Sequence, residues 1–191
     1  MRVVAGSARG RRLVTPAGRG VRPTTDRVRE AVFNALQSLD AIRGAVVLDL
    51  FAGSGALGVE AASRGAASVT FVDASRSAIE AVRANLASTA TLAATNVHRA
   101  DAIDWLAHST NDFDLVLLDP PYEFDRWPEV LGAIAPRVTG AGYVVIESNR
   151  EISMPARLRT ARDRVYGSTF VRIASVGADP RLSPGDGGAL P

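Results

Sequence analysis

The sequence predicts an α/β fold, Rossmann-like, with an open and mostly parallel sheet covered by helices on both faces. From residue 45 onward, short continuous apolar runs alternate with segments of helical period, the pattern of strands linked by right-handed crossovers. A glycine-rich turn follows the first of those runs, where such sheets bind ligands. The 191 residues are 47% hydrophobic and 22% charged, which suits one ordinary globular domain able to bury a real core.

Residues 1–5 and 10–14 are short extended runs around Gly6, Ser7, Ala8 and Arg9, and read as a hairpin carrying arginines. A loop punctuated by Gly and Pro covers 15–23. Thr24 or Thr25 then caps a helix whose apolar positions Val28, Ala31, Val32, Ala35, Leu36 and Leu39 share one face. Strands buried on both faces are expected at 45–51, 68–72, 96–100, 114–118 and 142–146. Helices are expected at 56–64, 76–88, 102–108 and 127–135, the second marked by Ile79, Val82 and Leu86. Two extended stretches around Gly167 and Ser168, within 159–176, predict a terminal hairpin that adds antiparallel strands. Seven of the fifteen residues from Gly177 to Pro191 are Gly or Pro, so a disordered tail is expected there. The organisation expected is an Arg-rich extension over 1–40, the main domain over 41–176 and the tail over 177–191.

Composition narrows the chemistry. Cysteine is absent, which excludes disulfides, thiolate nucleophiles and cysteine-bound metals. Two isolated histidines, His98 and His108, leave little material for a metal site, so no metal is expected and both are assigned to the surface. Trp105 and Trp127 are assigned to packing on their helices. With no apolar run near membrane-span length and no apolar segment after the N-terminal arginines, the expected address is cytoplasmic. Charge is unevenly spread. Residues 1–30 hold eight arginines against Asp26 and Glu30, a net of +6, while the remainder holds fourteen against eighteen acids, a net of −4. All 22 basic residues are arginine, whose planar fork suits phosphate and base edges. Arg2, Arg9, Arg11, Arg12, Arg19, Arg22, Arg27 and Arg29 are therefore read as a nucleic-acid footprint.

In the turn Asp49-Leu-Phe51-Ala52-Gly53-Ser-Gly55-Ala-Leu-Gly58, the glycines have the G-x-G-x-x-G spacing of dinucleotide sites. Gly53 and Gly55 let a backbone approach a ligand closely. Asp49, four residues before the first glycine, would repel a pyrophosphate but welcome an ammonium. S-adenosylmethionine offers an ammonium and no phosphate. Asp73, ending the second strand and followed by Ala74, is placed to bind two ribose hydroxyls, a role shared with NAD sites. Asp101 is placed either to bond the adenine amine beside Ala102 or simply to cap a helix.

After the fourth strand comes Asp119-Pro120-Pro121-Tyr122. Each proline biases its predecessor toward extended backbone, so the corner is stiff before a substrate arrives. An exocyclic amine on a nucleobase is a poor nucleophile because its lone pair is delocalised into the ring. Two acceptors drawing on its N–H protons localise that pair, and the Asp119 carboxylate with the Pro120 carbonyl can serve. Tyr122 offers a face on which the base stacks. Glu147 either lines the pocket or ends a strand.

On these residues the chain resembles the RsmD family of S-adenosylmethionine-dependent 16S rRNA (guanine-N2) methyltransferases. The resemblance spans roughly residues 1–175. It rests on Arg2 to Gly6 with Gly10 to Leu13, on Arg22-Pro-Thr-Thr-Asp-Arg-Val-Arg-Glu-Ala-Val-Phe-Asn34, on Asp49 to Gly58, on Phe113 to Tyr122 and on Ile146-Glu147. It implies a class I methyltransferase sheet of seven strands, mostly parallel with an antiparallel C-terminal hairpin, and an N-terminal hairpin and helix for RNA. It implies S-adenosylmethionine as cofactor, with Asp49, Phe51, Ala52, Gly53, Gly55, Asp73, Ala74, Asp101 and Ala102 holding it. Asp119, Pro120, Pro121 and Tyr122 would handle a guanine of 16S rRNA within the small ribosomal subunit, and a monomer is expected. Two other functions stay open on sequence: a DNA adenine-N6 or cytosine-N4 amino-methyltransferase, and a nucleotide- or NAD-binding Rossmann protein. The first lacks room for a large target-recognition domain, and Asp49 with the diproline argues against the second.

Overall fold

A computed structural model of the chain describes residues 1–16 and 26–177. The described elements are α1 (Asp26–Ser38), β1 (Val46–Leu50), α2 (Ala56–Ser63), β2 (Ser68–Asp73), α3 (Arg76–Thr89), β3 (Ala94–Arg99), α4 (Ala102–His108), β4 (Phe113–Leu118), α5 (Trp127–Ile134), β5 (Val138–Ser148), β6 (Leu158–Tyr166) and β7 (Thr169–Val176). One sheet takes all seven strands in the order β3-β2-β1-β4-β5-β7-β6. The first five pair in parallel, and β7 runs antiparallel to both β5 and β6. The expected mixed sheet and terminal hairpin are therefore both present.

Strand order follows from side-chain chemistry. The runs VVLDL and FDLVLL of β1 and β4 are almost wholly buried, as central strands sandwiched between helix layers must be. One core lies under α1, α2 and α3 and joins Phe33, Val47, Val59, Phe71 and Leu117; the other, under α4 and α5, joins Leu48, Leu50, Leu106, Leu118 and Val130. β3 departs from expectation: its sequence ATNVHR is exposed along nearly its whole length. It is an edge strand, where polar side chains discourage pairing with another chain.

The N-terminal hairpin is present. An antiparallel bridge, Arg2 to Arg12, joins the two runs, and the N–H groups of Val3, Gly10 and Leu13 donate to the carbonyls of Arg11, Val3 and Met1 at 3.0, 2.9 and 3.1 Å. The hairpin is docked on α2, whose Glu60 carboxylate accepts the N–H groups of Val4 and Ala5 at 2.8 and 3.0 Å. Ser63 Oγ donates to the Ala5 carbonyl and accepts from the Ala8 N–H. Backbone groups of Val4, Ala5 and Ala8 that do not pair within the hairpin are thus held by a helix, while Val3, Ala8 and Leu13 enter the first core. The helix cap expected at Thr24 or Thr25 and most of the 15–23 loop lie outside the described residues, as does the tail beyond Gly177. No helix among the described residues is long and apolar enough to cross a membrane.

Candidate active site

Strand register gathers the acids at one edge of the sheet. Leu50 of β1 is level with Val72 of β2 and Leu118 of β4, and Leu118 is level with Ile146 of β5. The next residues, Phe51, Asp73, Asp119 and Glu147, therefore stand in one row where parallel strands end. Asp49 lies below them and is buried, its Oδ2 accepting the Gly58 N–H at 2.8 Å. Burial pushes its carboxyl well above the ordinary carboxylate value. The Gly58 N–H opposes the rise, and the nearby Asp119 and Asp73 charges add to it. A cation brought to this place would relieve the strain of three converging carboxylates.

The turn above Asp49 has backbone that few side chains tolerate. Phe51, Gly53 and Gly55 have φ of 63°, 56° and 75°, in the left-handed region that glycine enters without steric cost. Phe51 enters it too, held by a T-shaped ring contact with Phe124 at 4.9 Å. Strain of this kind persists where surrounding packing over-determines it, as at ligand sites. The Ala52 N–H reaches the Val72 carbonyl at 3.0 Å, tying the turn to β2. Gly58 answers a different demand, since a Cβ there would lie 2.3 Å from the Phe71 ring and 2.9 Å from Asp49 Oδ2. The third glycine lets α2 close onto the strand.

Asp73 is buried and accepts the Gly53 N–H on Oδ2 and the Ser75 N–H on Oδ1, each at 2.8 Å. Ala74, beside it, is exposed. Asp101 sits two residues past the end of β3 and caps α4, with Oδ1 accepting from the Ile103 and Asp104 N–H groups. Its capping role is realised on an exposed side chain, and Ala102 behind it is buried.

In the corner, Asp119 is half-buried, Pro120 is buried and Pro121 is exposed. Tyr122 is 38% exposed, enough ring to receive a planar group. The Phe124 N–H closes a turn on the Pro121 carbonyl at 2.9 Å. Phe124 packs between Phe51 and Trp127, and Arg150 donates to its carbonyl at 3.0 Å. The corner and the glycine turn are thus locked together through one aromatic ring. Glu147 is buried at the sheet edge.

The arginines divide. Arg2, Arg9, Arg11, Arg12 and Arg27 are exposed, while Arg19 and Arg22 lie outside the described residues. Arg29 must be removed from the footprint: it is 1% exposed and is spent on the Arg2 carbonyl, Asp26 and Glu60. A charge buried this deeply needs such partners. His98 and His108 are exposed and Trp127 is buried, as assigned.

Sequence reasoning passed over two residues that organise the site. Asn85 on α3 is buried. It accepts the Val14 N–H at 2.8 Å and donates to the carbonyls of Val14 and Ser54 at 2.9 and 2.8 Å. One amide therefore ties the arginine-bearing segment to the glycine turn. Its place three residues after Val82, on the apolar stripe of α3, was the available signal. Glu60, the lone acid within the apolar helix ALGVEAAS, was the other.

A seven-stranded sheet of this order, with one antiparallel strand, a glycine turn after β1 and acids at the ends of β1 and β2, defines a class I methyltransferase fold. The family model described as Conserved hypothetical protein 95 matches residues 1–175. The chain belongs to that family, the RsmD family. It is 39% identical over 182 residues to YlbH of Bacillus subtilis, covering 91% of this chain and 97% of that one. It is 36% identical over 180 residues to ribosomal RNA small subunit methyltransferase D of Escherichia coli, covering 91% and 88%. The solved structure of yhhF from Escherichia coli superposes with a TM-score of 0.83 at 34% identity, covering 94% of this chain and 99% of that one.

Proposed function

We propose that this chain is an S-adenosylmethionine-dependent rRNA methyltransferase that acts on the exocyclic N2 amine of a guanine in 16S rRNA, presented by the small ribosomal subunit. The observation that carries the proposal is the common row of Asp73, Asp119 and the glycine turn above a buried Asp49 whose carboxyl is raised by its surroundings. The name of the Escherichia coli relative supports the substrate class.

The residues present fit the cofactor. Asp49 and the α2 N-terminus meet the needs of an amino acid, ammonium and carboxylate respectively. Phe51, Ala52, Gly53 and Gly55 bring backbone close to it, the Asp73 carboxylate accepts the ribose hydroxyls beside Ala74, and Asp101 with Ala102 flanks the adenine. When bound, S-adenosylmethionine supplies a methyl group on a positively charged sulfur. Asp119 and the Pro120 carbonyl accept the two N–H protons of the guanine amine and free its lone pair. Pro121 stiffens the corner, and Tyr122 stacks on the base. Asp119 then takes the proton shed after transfer. Positioning of this sort is worth about 7–11 kcal/mol. A loop guanine suits the site because an unpaired base is cheaply unstacked. Arg2, Arg9, Arg11, Arg12 and Arg27 give phosphate contacts.

The test is a nucleotide map of rRNA from cells lacking the gene. Loss of one N2-methylguanosine from 16S rRNA, restored by the wild-type chain, is expected. An unaltered map would overturn the proposal.

A further inference from the structure

The sheet edge continues past the catalytic corner. Glu147 is level with Val171 of β7, and Val171 with Arg164 of β6. One residue further, Ser148, Phe170 and Val165 stand side by side. The β6–β7 hairpin tip therefore rises at the same edge as Asp119, two strands away. Beside it lies a cleft of about 370 Å³, bordered by Ser148, Arg150, Arg164, Val165, Phe170 and Arg172.

The cleft has a mixed character. Val165 and Phe170 are 58% and 37% exposed, directly opposite each other on the two strands. An exposed aromatic on a hairpin tip is a stacking platform for an unpaired base. The two acids at the border, Glu151 and Asp163, both pair with Arg172. Arg150 and Arg164 are exposed and enter no ion pair among the described residues. Positive charge is thus left uncompensated beside the platform. Arg150 also donates to the Phe124 carbonyl, so whatever docks here adjoins the loop that carries Asp119.

We propose that this cleft receives a nucleotide of the RNA strand neighbouring the methylated guanine, its base against Phe170 and Val165 and its phosphate on Arg150 and Arg164. The proposal rests on the rRNA methyltransferase activity above. It adds a second RNA contact, on the β6–β7 hairpin, to that of the arginine-bearing N-terminus. A single strand held on both sides would present one base, splayed out, to Asp119.

The experiment uses the full chain, S-adenosylmethionine and small subunits from cells lacking the gene. Phe170→Ala with Arg164→Ala should raise KM for the particle at least tenfold, leave kcat within twofold and leave S-adenosylhomocysteine affinity unchanged. Phe170→Trp, which keeps a stacking face, should retain the wild-type KM. Arg164→Ala alone, an exposed edge change, should lower the slope of log affinity against log salt by about 0.7. A photocrosslinking amino acid at position 165 should label rRNA. An unchanged KM and salt slope, or a crosslink to ribosomal protein alone, would overturn the proposal. Should the wild-type chain bind S-adenosylhomocysteine yet methylate no rRNA, the activity itself has failed, and the docking proposal falls with it.

Discussion

Asn85→Ala probes the join between the N-terminal segment and the glycine turn. The wild-type amide makes three hydrogen bonds, all between 2.8 and 2.9 Å, to Val14 and Ser54. Alanine removes them together and leaves a buried N–H and two carbonyls to find other partners. At about 1 kcal/mol net for each bond, the cost is about 3 kcal/mol. That is a large share of the ~5–15 kcal/mol typical of a domain. It corresponds to a fall in Tm of roughly 6–12 °C at this chain length. Because Ser54 sits between Gly53 and Gly55, the loss should also weaken S-adenosylhomocysteine binding, by about tenfold. Thermal melts followed by circular dichroism give the Tm, and calorimetric titration gives the affinity. Asn85→Asp keeps the acceptor but sets a carboxylate against two carbonyls, and should be worse than alanine. A Tm within 2 °C of wild type (roughly 1 kcal/mol or less) and an unchanged Kd would refute the reasoning.

Asp119→Ala should lower turnover by ~10²–10³-fold, the scale for losing one transition-state hydrogen-bond partner, while S-adenosylhomocysteine still binds; unchanged turnover removes Asp119 from the chemistry. Replacing Arg9, Arg11 and Arg12 together with alanine should weaken particle binding and flatten its salt dependence, and identical affinity and slope would exclude this surface from the footprint. Asp49 gives a pH signature. Its carboxyl is raised by burial and by Asp119 and Asp73, so its contribution to stability is present below the ordinary carboxylate value and lost as pH rises through the raised one. Asp49→Asn should therefore raise the Tm of the free protein at neutral pH. In the wild type, cofactor affinity should fall as pH drops through the raised value and Asp49 takes up a proton. In Asp49→Asn affinity should be weaker and flat with pH; a pH dependence surviving the substitution would assign the proton elsewhere.

The central strands were legible because burial on both faces demands unbroken apolar runs, and the corner because proline restricts its neighbours whatever surrounds them. β3 was located, yet its exposure was not foreseen, since edge position depends on which strands pair and not on the strand alone. The N-terminal hairpin was legible from its two extended runs, and Val3 bonds both Gly10 and Arg11 across it. Its docking on α2 through the Val4 and Ala5 N–H groups was not, because only the packing of that helix brings Glu60 there. Arg29 shows the same limit for charge. Its count belongs to the basic N-terminus, but its position on α1 faces Glu60 and the core. Asn85 and Glu60 were visible as polar residues on apolar helix faces. Their partners in the N-terminal hairpin lie more than fifty residues away in sequence, beyond the reach of periodicity.

A crystal structure of the chain with S-adenosylmethionine tests the proposed chemistry most directly. The transferable methyl carbon should face the Asp119 carboxylate and the Pro120 carbonyl across an open space the size of a purine, with the ammonium on the Asp49 side. A methyl group turned away from that corner, or walled off from it by side chains, would contradict it.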